Sequence, residues 1–380
     1  MRLSGLKSKL TRIQKCLLAV LLLGVSAGMS GCQTWKFYGQ AVKGQYQIFA
    51  HEEPTEKLKA DPQTPEKLKQ RLELLDQMRA FAASELKLPL DGHYRKYVDV
   101  HRPYVVWNVE ATPEFSMQPK TWWYPLVGSL EYRGYFSRQG ATNYAAVLRR
   151  KGYDVSVGGV QAYSTLGWFK DPVLNTFIFE PDADLAEIIF HELGHQRVFA
   201  RGDTDFNEAF ATTVGEEGAR RWLKARGDDA GLERYLAHLQ RNQDWVHLVM
   251  STRARLAALY SDEQPRPKAA GNNKAASPEK LRQEKQRILD DMKAQYTKLK
   301  TQWNGDTEFD WWFNHPVNNA HLNSVAAYYD LVPAFEHILA QNGGDLEKLY
   351  QAAERLAKKS KTERREELKV LANAGRNVPG

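Results

Sequence analysis

Cysteine is almost absent from this chain of 380 residues, which contains only Cys16 and Cys32. So few thiols exclude a disulfide framework and a zinc site built from cysteine clusters. Any metal site must therefore use histidine, aspartate and glutamate side chains. Stability must come from packing, and a chain of this length with 42% hydrophobic residues can bury one large core or two moderate ones.

A long hydrophobic run is also lacking. The apolar run Leu17–Val25 is too short to be a convincing transmembrane helix. It follows a basic start and precedes small residues, so residues 1–31 are typical of a secretion signal. Cys16 lies within that removable segment, which leaves Cys32 as the single thiol of the predicted mature chain.

The end of this signal resembles a bacterial lipobox, with Ser30 and Gly31 before Cys32 and the less common Met29 at the first position. Cleavage before Cys32 would leave its thiol to carry lipid, so we expect a lipid anchor that tethers the protein to a membrane. An ordinary signal peptide cut nearby is the alternative. Gln33 is not the aspartate that commonly retains lipoproteins in the inner membrane, so the expected location is the bacterial cell envelope, at the outer membrane facing the periplasm.

Acidic residues are missing from the first 31 positions, which hold five of the basic residues. The formal net charge of +7 therefore falls to +2 for the rest of the chain. A surface so close to neutral gives no support to nucleic-acid binding.

The run Ile188–Gln196 contains the pattern H-E-x-x-H, formed by His191, Glu192 and His195. Histidines four residues apart lie one above the other on one face of a helix, where both can bind one metal ion. Neutral imidazoles are good zinc ligands, and a glutamate between them can take a proton from a water molecule that attacks a carbonyl. Three matching residues are modest evidence, so the surrounding sequence has to support this interpretation.

The sequence around the motif predicts a largely buried helix, because no proline interrupts Asp184 to Arg201. Pro181 and Asp182 mark its start, and Asp184 and Glu187 have the spacing of a capping box. Apolar residues recur at helical spacing at Leu185, Ile188, Ile189, Leu193 and Val198. Two histidines and a glutamate on a buried helix need partners, and a metal ion would satisfy all three.

A catalytic zinc site takes three protein ligands and leaves a fourth position open. A second helix is predicted to start near Phe206 and to run toward Trp222. The acidic residues in and around its first turns are all candidates for the third ligand: Asp203, Asp205, Glu208, Glu216 and Glu217.

The segments H-E-L-G-H-Q and F-N-E-A-F-A-T resemble the gluzincin metallopeptidases, notably the aminopeptidase N group, whose third ligand is the glutamate of an N-E-G-F-A type sequence. The resemblance implies one zinc ion per chain, held by His191, His195 and Glu208, with Glu192 as the catalytic base. One feature departs from that pattern: only 12 residues separate His195 from Glu208, so the connection must be a tight turn. The whole chain is similar to a little-described group of bacterial lipoproteins regarded as aminopeptidases.

We expect an α+β fold that is mainly helical, with a zincin-like core in which a small mixed sheet packs on the motif helix. The chain divides into a signal (1–31), an N-terminal helical segment (32–96), the core (97–260), a polar low-complexity loop (261–278) and a C-terminal helical region that packs on the core (279–380). Short runs rich in valine and aromatic residues predict the strands of one sheet at 104–109, 154–163 and 176–180.

Several residues are candidates for contacts with substrate. Gly158–Tyr163 could be an edge strand that holds an extended peptide, or an ordinary core strand. Trp122–Tyr124 and Trp168–Phe169 could line a cleft, although clustered aromatics more often pack a core. Gluzincins recruit a tyrosine or histidine from a later helix to stabilise the oxyanion, for which the candidates are His315, His321, Tyr328 and Tyr329. An exopeptidase also needs acids for the substrate ammonium, with Glu110, Glu131 and Glu180 as unranked possibilities.

The sequence thus predicts a zinc-dependent peptidase that acts on peptide substrates, and the resemblance favours an aminopeptidase. The alternative is a non-catalytic envelope lipoprotein that has a structural metal site and binds a partner or a cell-wall component. Glu192 argues against that alternative, because a structural site has no use for a base.

Overall fold

The structure is a computed structural model that describes residues 32–124, 128–162, 170–262 and 277–376. The predicted signal, the pair Trp168–Phe169, the last residue of the candidate edge strand and most of the loop 261–278 lie outside the described residues. Among the helices that are described, none is long and apolar enough to cross a membrane.

The chain divides into two compact units, and the boundary in the sequence lies between Ala50 and His51. The described part of the first unit is helix α1 (Cys32–Ala50), as the sequence predicts for the segment after Cys32. The second unit runs from His51 through all the other described elements, including the positions near 96, 260 and 278 at which we divide the sequence. That finer division stays a prediction.

Helices make up most of the second unit. In chain order they are α2 (Thr55–Ala60), α3 (Glu66–Ser84), α4 (Arg138–Arg150), α5 (Asp182–Arg197), α6 (Thr204–Ala225), α7 (Asp229–Asp262), α8 (Pro278–Gln302), α9 (Asp310–Phe313), α10 (Asn319–Tyr329), α11 (Val332–Gln341), α12 (Leu346–Ala357) and α13 (Lys361–Arg376).

The strands are short. They are β1 (Glu53–Pro54), β2 (Lys96–Val98), β3 (Val106–Pro113), β4 (Trp122–Tyr124), β5 (Gly128–Leu130), β6 (Tyr132–Tyr135), β7 (Tyr153–Val160) and β8 (Val173–Leu174). One sheet has the order β6-β3-β7 and is antiparallel throughout. In a second sheet β2 pairs antiparallel with β1 and parallel with β8, and β4 and β5 form a two-stranded ribbon.

The mainly helical α+β class is confirmed, and so are the strands predicted at 104–109 and 154–163, which pair in one sheet as β3 and β7. Two other expectations about the strands are wrong. The described strands form three small sheets and not one. The segment Thr176–Glu180 is a series of turns, in which the amides of Phe177 and Ile178 both donate to the carbonyl of Leu174. Both side chains are buried by this turn, so an apolar run of this length predicts burial without fixing the type of backbone structure.

The motif helix α5 packs along α6, and α3 covers the pair through Phe81, whose ring lies 6.0 Å from that of Phe190 and 5.2 Å from that of Trp222. Glycine permits the close approach of α5 and α6. A Cβ at Gly215 would lie 2.9 Å from the carbonyl oxygen of Glu187 and 3.1 Å from the Cβ of His191. The two helices therefore lie close together beside the first histidine of the motif.

The β6-β3-β7 sheet contacts α4 and α10, and α10 in turn contacts α6 and α7. Helix α10 thus connects the sheet to the helix pair, whereas we expected the sheet to pack broadly on the motif helix itself. Successive side chains of β3 point to opposite faces of the sheet, and Trp107, Val109 and Ala111 share one face and are buried there.

Candidate metal centre

Helix α5 begins one residue after Pro181 and ends at Arg197, with Val198 extended. This is the start that Pro181 and Asp182 predict, but Asp184 is inside the first turn, so the predicted capping box with Glu187 is wrong. No side chain caps this helix. Instead, Asp182 and Asp184 place negative charge in its first turn, where the helix dipole favours it. Glu187 accepts a hydrogen bond from the hydroxyl of Tyr235 at 2.6 Å.

The structure brings His191, His195 and Glu208 together. The two imidazole rings lie one turn apart, with centroids separated by 4.8 Å. Oε2 of Glu208 lies 3.4 Å from Nε2 of His191 and 3.6 Å from Nε2 of His195. Each of the three residues offers one ligand atom, and these three atoms lie within 4.8 Å of one another. The group could therefore hold a metal ion.

A braced turn brings Glu208 to the histidines. The side chain of Asn207 accepts a hydrogen bond from the amide of Ala200 at 2.7 Å and donates one to the carbonyl of the same residue at 2.9 Å. Gly202 takes a positive φ of 75° in the turn. The tight turn predicted from the short spacing is thereby confirmed, and Glu208 lies in the first turns of α6.

The other acidic candidates for a third ligand have different partners. Asp203 pairs with Arg364, and Asp205 pairs with Arg365. Glu217 accepts from Arg220 and Arg221, and a carboxylate oxygen of Glu216 lies 3.8 Å from Arg220. Of the five candidates, Glu208 is thus the one that the fold places against both histidines.

Burial and mutual charge set the protonation of this group. Burial lowers the pKa of His191. Burial also acts to lower the pKa of His195, but the carboxylates of Glu208, Glu192 and Asp171 together outweigh it and raise this pKa above its ordinary value. Burial acts to raise the pKa of Glu208, but the two histidines outweigh it and hold this pKa far below the ordinary value. Burial raises the pKa of Glu192 to about 8.

Two buried polar atoms of the motif have no hydrogen-bond partner among the described residues: Oε2 of Glu192 and Nδ1 of His195. Buried polar atoms of this kind are uncommon and call for an explanation. A cation held by the two imidazoles and Glu208 would stabilise the ionised form of Glu192, so the donor set and its surroundings suit a divalent metal.

Two tyrosines adjoin the metal group. The ring of Tyr328 stacks on that of His191 at 6.5 Å, and the charge of Glu208 together with burial raises its pKa well above the ordinary value. Burial raises the pKa of Tyr132 as well, with further contributions from Glu208, Glu192 and Glu110. We predicted Tyr328 as a candidate but gave Tyr132 no role. Its register opposite Glu110 in the β3–β6 pair places it here, and such pairing cannot be read from local sequence.

Glu110 and Glu131 form an acidic pair next to these tyrosines. Burial, followed by the charge of Glu131, raises the pKa of Glu110 to about 8. Burial, followed by the charge of Asp205, raises the pKa of Glu131 to about 7. The third acidic candidate, Glu180, accepts a hydrogen bond from Gln161 at 2.6 Å. No contact of Glu180 with the metal group occurs among the described residues.

The remaining oxyanion candidates lie elsewhere. Tyr329 is hydrogen-bonded to Asn242, and burial together with the charge of Glu216 raises its pKa. His321 packs edge-on against Trp312 at 6.4 Å, and burial lowers its pKa to about 4. The charge of His315 also contributes to lowering the pKa of His321. Of the aromatic candidates for lining a cleft, Trp122 donates a hydrogen bond to the hydroxyl of Tyr144 at 2.9 Å, whereas Trp123 is 69% exposed.

Residues 36–368 match the model of the Aminopep family, described as "Putative aminopeptidase". The chain belongs to this family. The match spans both helices of the metal group, the two tyrosines and the acidic pair, so the Aminopep assignment applies to the part of the chain that carries the site. No curated protein and no solved structure matches the chain.

Proposed function

We propose that this member of the Aminopep family is a zinc-dependent aminopeptidase of the gluzincin type. The observation that carries the proposal is the group of His191, His195 and Glu208 with Glu192 beside it, whose Oε2 is buried without a hydrogen-bond partner among the described residues. Two imidazoles and one carboxylate, with a further position open, are the ligand pattern of catalytic zinc in hydrolases. The family assignment supports the peptidase class.

When bound, Zn²⁺ would supply Lewis acidity at a peptide carbonyl and would make a water molecule more acidic. His191, His195 and Glu208 would hold the ion. Glu192 would accept the proton of the attacking water and pass it to the leaving amine, as a general base that then becomes a general acid. Its burial suits this role, because few competing hydrogen bonds hold the carboxylate away from the reacting atoms.

Tyr328 is our candidate for the donor that stabilises the oxyanion. Its ring stacks on His191, and its pKa well above the ordinary value keeps the hydroxyl protonated at neutral pH. A neutral hydroxyl placed beside the developing negative charge lowers the barrier of carbonyl addition. Tyr132 approaches the same carboxylates from strand β6 and is the second candidate.

Glu110 and Glu131 are our candidates for binding the substrate's free ammonium. The charge of Glu131 acts on Glu110, and the charge of Glu110 reaches both Tyr132 and Tyr328 beside the metal group. Burial raises the pKa of each carboxyl, and the positive charges of Lys361, Arg365 and Arg253 offset only part of that effect at Glu131. A bound ammonium would add positive charge, so the pair favours substrates with an unblocked amino terminus.

The test combines metal content with two kinds of substrate. Wild type should hold about one zinc per chain and should cleave amino-terminal amides but not amino-blocked, internally quenched peptides. Glu208→Ala should lose the zinc, whereas Glu192→Gln should retain it and lose at least about 100-fold in kcat. Glu217→Ala, on the same helix but paired with Arg220 and Arg221, is the matched control and should keep both properties.

Other outcomes separate the alternatives. Equal cleavage of blocked peptides would make the protein an endopeptidase. Zinc without any hydrolysis, or full activity in Glu192→Gln, would overturn the catalytic proposal and favour a binding lipoprotein with a structural metal.

We further propose that Cys32 carries lipid and anchors the protein to the outer membrane on its periplasmic side. The support is the signal-like segment 1–31 with Ser30 and Gly31 before Cys32. Cys32→Ser should move the protein from the membrane fraction to the soluble periplasmic fraction and remove incorporation of labelled fatty acid. Fatty-acid labelling of wild type equal to that of Cys32→Ser would contradict the anchor.

A further inference from the structure

The C-terminal helix α13 contacts the turn between the two helices that carry the metal group. Arg364 donates from Nη1 to Oδ2 of Asp203, and both side chains are buried, with 4% and 1% of the residue exposed. Lys361 donates to the carbonyl of Gly202 at 3.2 Å, and Arg365 donates to Asp205. Three basic side chains of one helix therefore meet a single short turn.

Arg364 is itself held firmly. Its Nε donates to the carbonyl of Leu356 at 3.0 Å, and its Nη2 donates to the carbonyls of Ala357 at 3.0 Å and Lys359 at 2.9 Å. Its guanidinium also lies over the ring of Phe206, 5.1 Å from the centroid. These contacts hold the guanidinium of Arg364 in the place from which it donates to Asp203.

Asp203 is the residue before α6, and its placement determines where that helix begins. Its carbonyl accepts a hydrogen bond from the amide of Asn207 at 3.2 Å, and its own amide donates to Ala200 at 3.2 Å. Glu208 follows Asn207 directly. A displacement of Asp203 would thus shift the first turns of α6 and the carboxylate of Glu208.

We propose that Arg364 is a positioning residue for the metal centre, which acts through Asp203 to hold Glu208 against His191 and His195. The inference rests on the proposed metal site. A buried ion pair adds little net stability compared with apolar packing, so its value here is the geometry that it imposes. Metal ligands have to be placed to within a few tenths of an ångström, and residues behind the ligands commonly change metal affinity by about 10- to 100-fold.

The experiment uses the full chain and measures three properties of each variant. These are the zinc dissociation constant by chelator competition, the thermal unfolding of the metal-free protein, and the visible absorption of the cobalt(II) form as a probe of ligand geometry. Arg364→Met and Asp203→Asn should each raise the zinc dissociation constant by about tenfold or more and change the cobalt spectrum. Arg364→Lys should recover part of the affinity. Glu367→Gln, on the same helix as Arg364, removes an exposed ion pair with Lys359 and should match wild type.

Variants that remain folded without metal, and that bind zinc and cobalt as wild type does, would overturn the proposal and leave Arg364 with a structural role. If Arg364→Met does not fold, Asp203→Asn and Arg364→Lys decide, because each keeps a polar side chain of similar size in the buried pair. A weaker zinc affinity with a changed cobalt spectrum in a folded variant of this pair would support the proposal, and wild-type values in both folded variants would overturn it. A wild-type chain without zinc affinity would instead overturn the metal site on which the proposal rests.

Discussion

At the scale of single residues, protons and metal compete for the motif. Burial raises the pKa of Glu192 to about 8, so this carboxyl is largely protonated in the metal-free protein at neutral pH, and the pKa of His195 is raised above its ordinary value as well. A zinc ion requires His195 to be neutral, and its charge lowers the pKa of Glu192. Metal binding should therefore release protons.

We accordingly expect zinc affinity to rise with pH, from the ordinary histidine pKa of 6.5 toward the value of about 8 for Glu192. Below this pH range protons occupy His195 and Glu192, and above it protons no longer compete with zinc. Calorimetry in buffers of different ionisation enthalpy measures the release. Glu192→Gln, which cannot titrate, should release fewer protons at pH 7, by up to about one per chain. Identical release by variant and wild type would mean that the metal does not act on Glu192.

Tyr328 gives a second prediction at this scale. Tyr328→Phe removes the hydroxyl but keeps the ring on His191, so kcat should fall by about 100-fold while KM and zinc content change little. Tyr329→Phe is the matched control, since the neighbouring hydroxyl is bonded to Asn242 on the other side of the helix. A normal kcat in Tyr328→Phe together with a low one in Tyr132→Phe would transfer the role to Tyr132.

At the scale of elements, the spacing of α5 and α6 depends on Gly215. An added Cβ would meet the backbone of Glu187 at 2.9 Å, which no side-chain movement can relieve. Gly215→Ala should push the helices apart beside His191, destabilise the fold by about 1 to 3 kcal/mol and weaken zinc binding. The matched control is Gly39→Ala in helix α1, where a Cβ meets nothing within 4 Å.

The two measurements on Gly215→Ala are thermal unfolding of the metal-free chain and zinc affinity. Normal values for both would show that α5 and α6 can separate without cost, and would contradict the role of their close approach. Lower stability with full zinc affinity would restrict the effect of Gly215 to packing.

Local periodicity accounts for what could be predicted among the elements. The helix that carries His191 and His195 follows from i, i+4 geometry and apolar spacing, and the helices after Cys32 and after Asp203 were predicted within a few residues. The strands were predicted less well, because the turns at Thr176–Glu180 and the separation into three sheets depend on pairing partners distant in the chain.

The candidate site divides in the same way. The motif and Glu208 came from local sequence and from resemblance, but the choice of Glu208 over Asp203 became clear only from Arg364, 161 residues further along the chain. Tyr132 was missed because its approach to Glu192 depends on the register of β6 against β3. Residues that act through long-range contacts carry no short motif, so periodicity and spacing alone could not have found them.

At the scale of the whole molecule, the boundary at His51 separates the expected anchor from the chemistry. Every residue of the metal group, the acidic pair and the contacts of α13 belongs to the second unit. The first unit contributes α1 and the predicted lipid-bearing Cys32. This division suggests that one part of the chain determines location and the other determines activity.

A chain that starts at His51 should therefore fold and bind zinc with a dissociation constant within about twofold of that of the full chain, because it contains every residue of the metal group. The comparison requires the zinc dissociation constant, the unfolding temperature and the kcat of both chains in detergent-free buffer, with a chain that starts at Gln33 as the matched control. A large loss of zinc affinity in the chain from His51, but not in that from Gln33, would show that α1 supports the metal centre. Equal values would leave α1 free to act as a connector between the membrane and the catalytic unit.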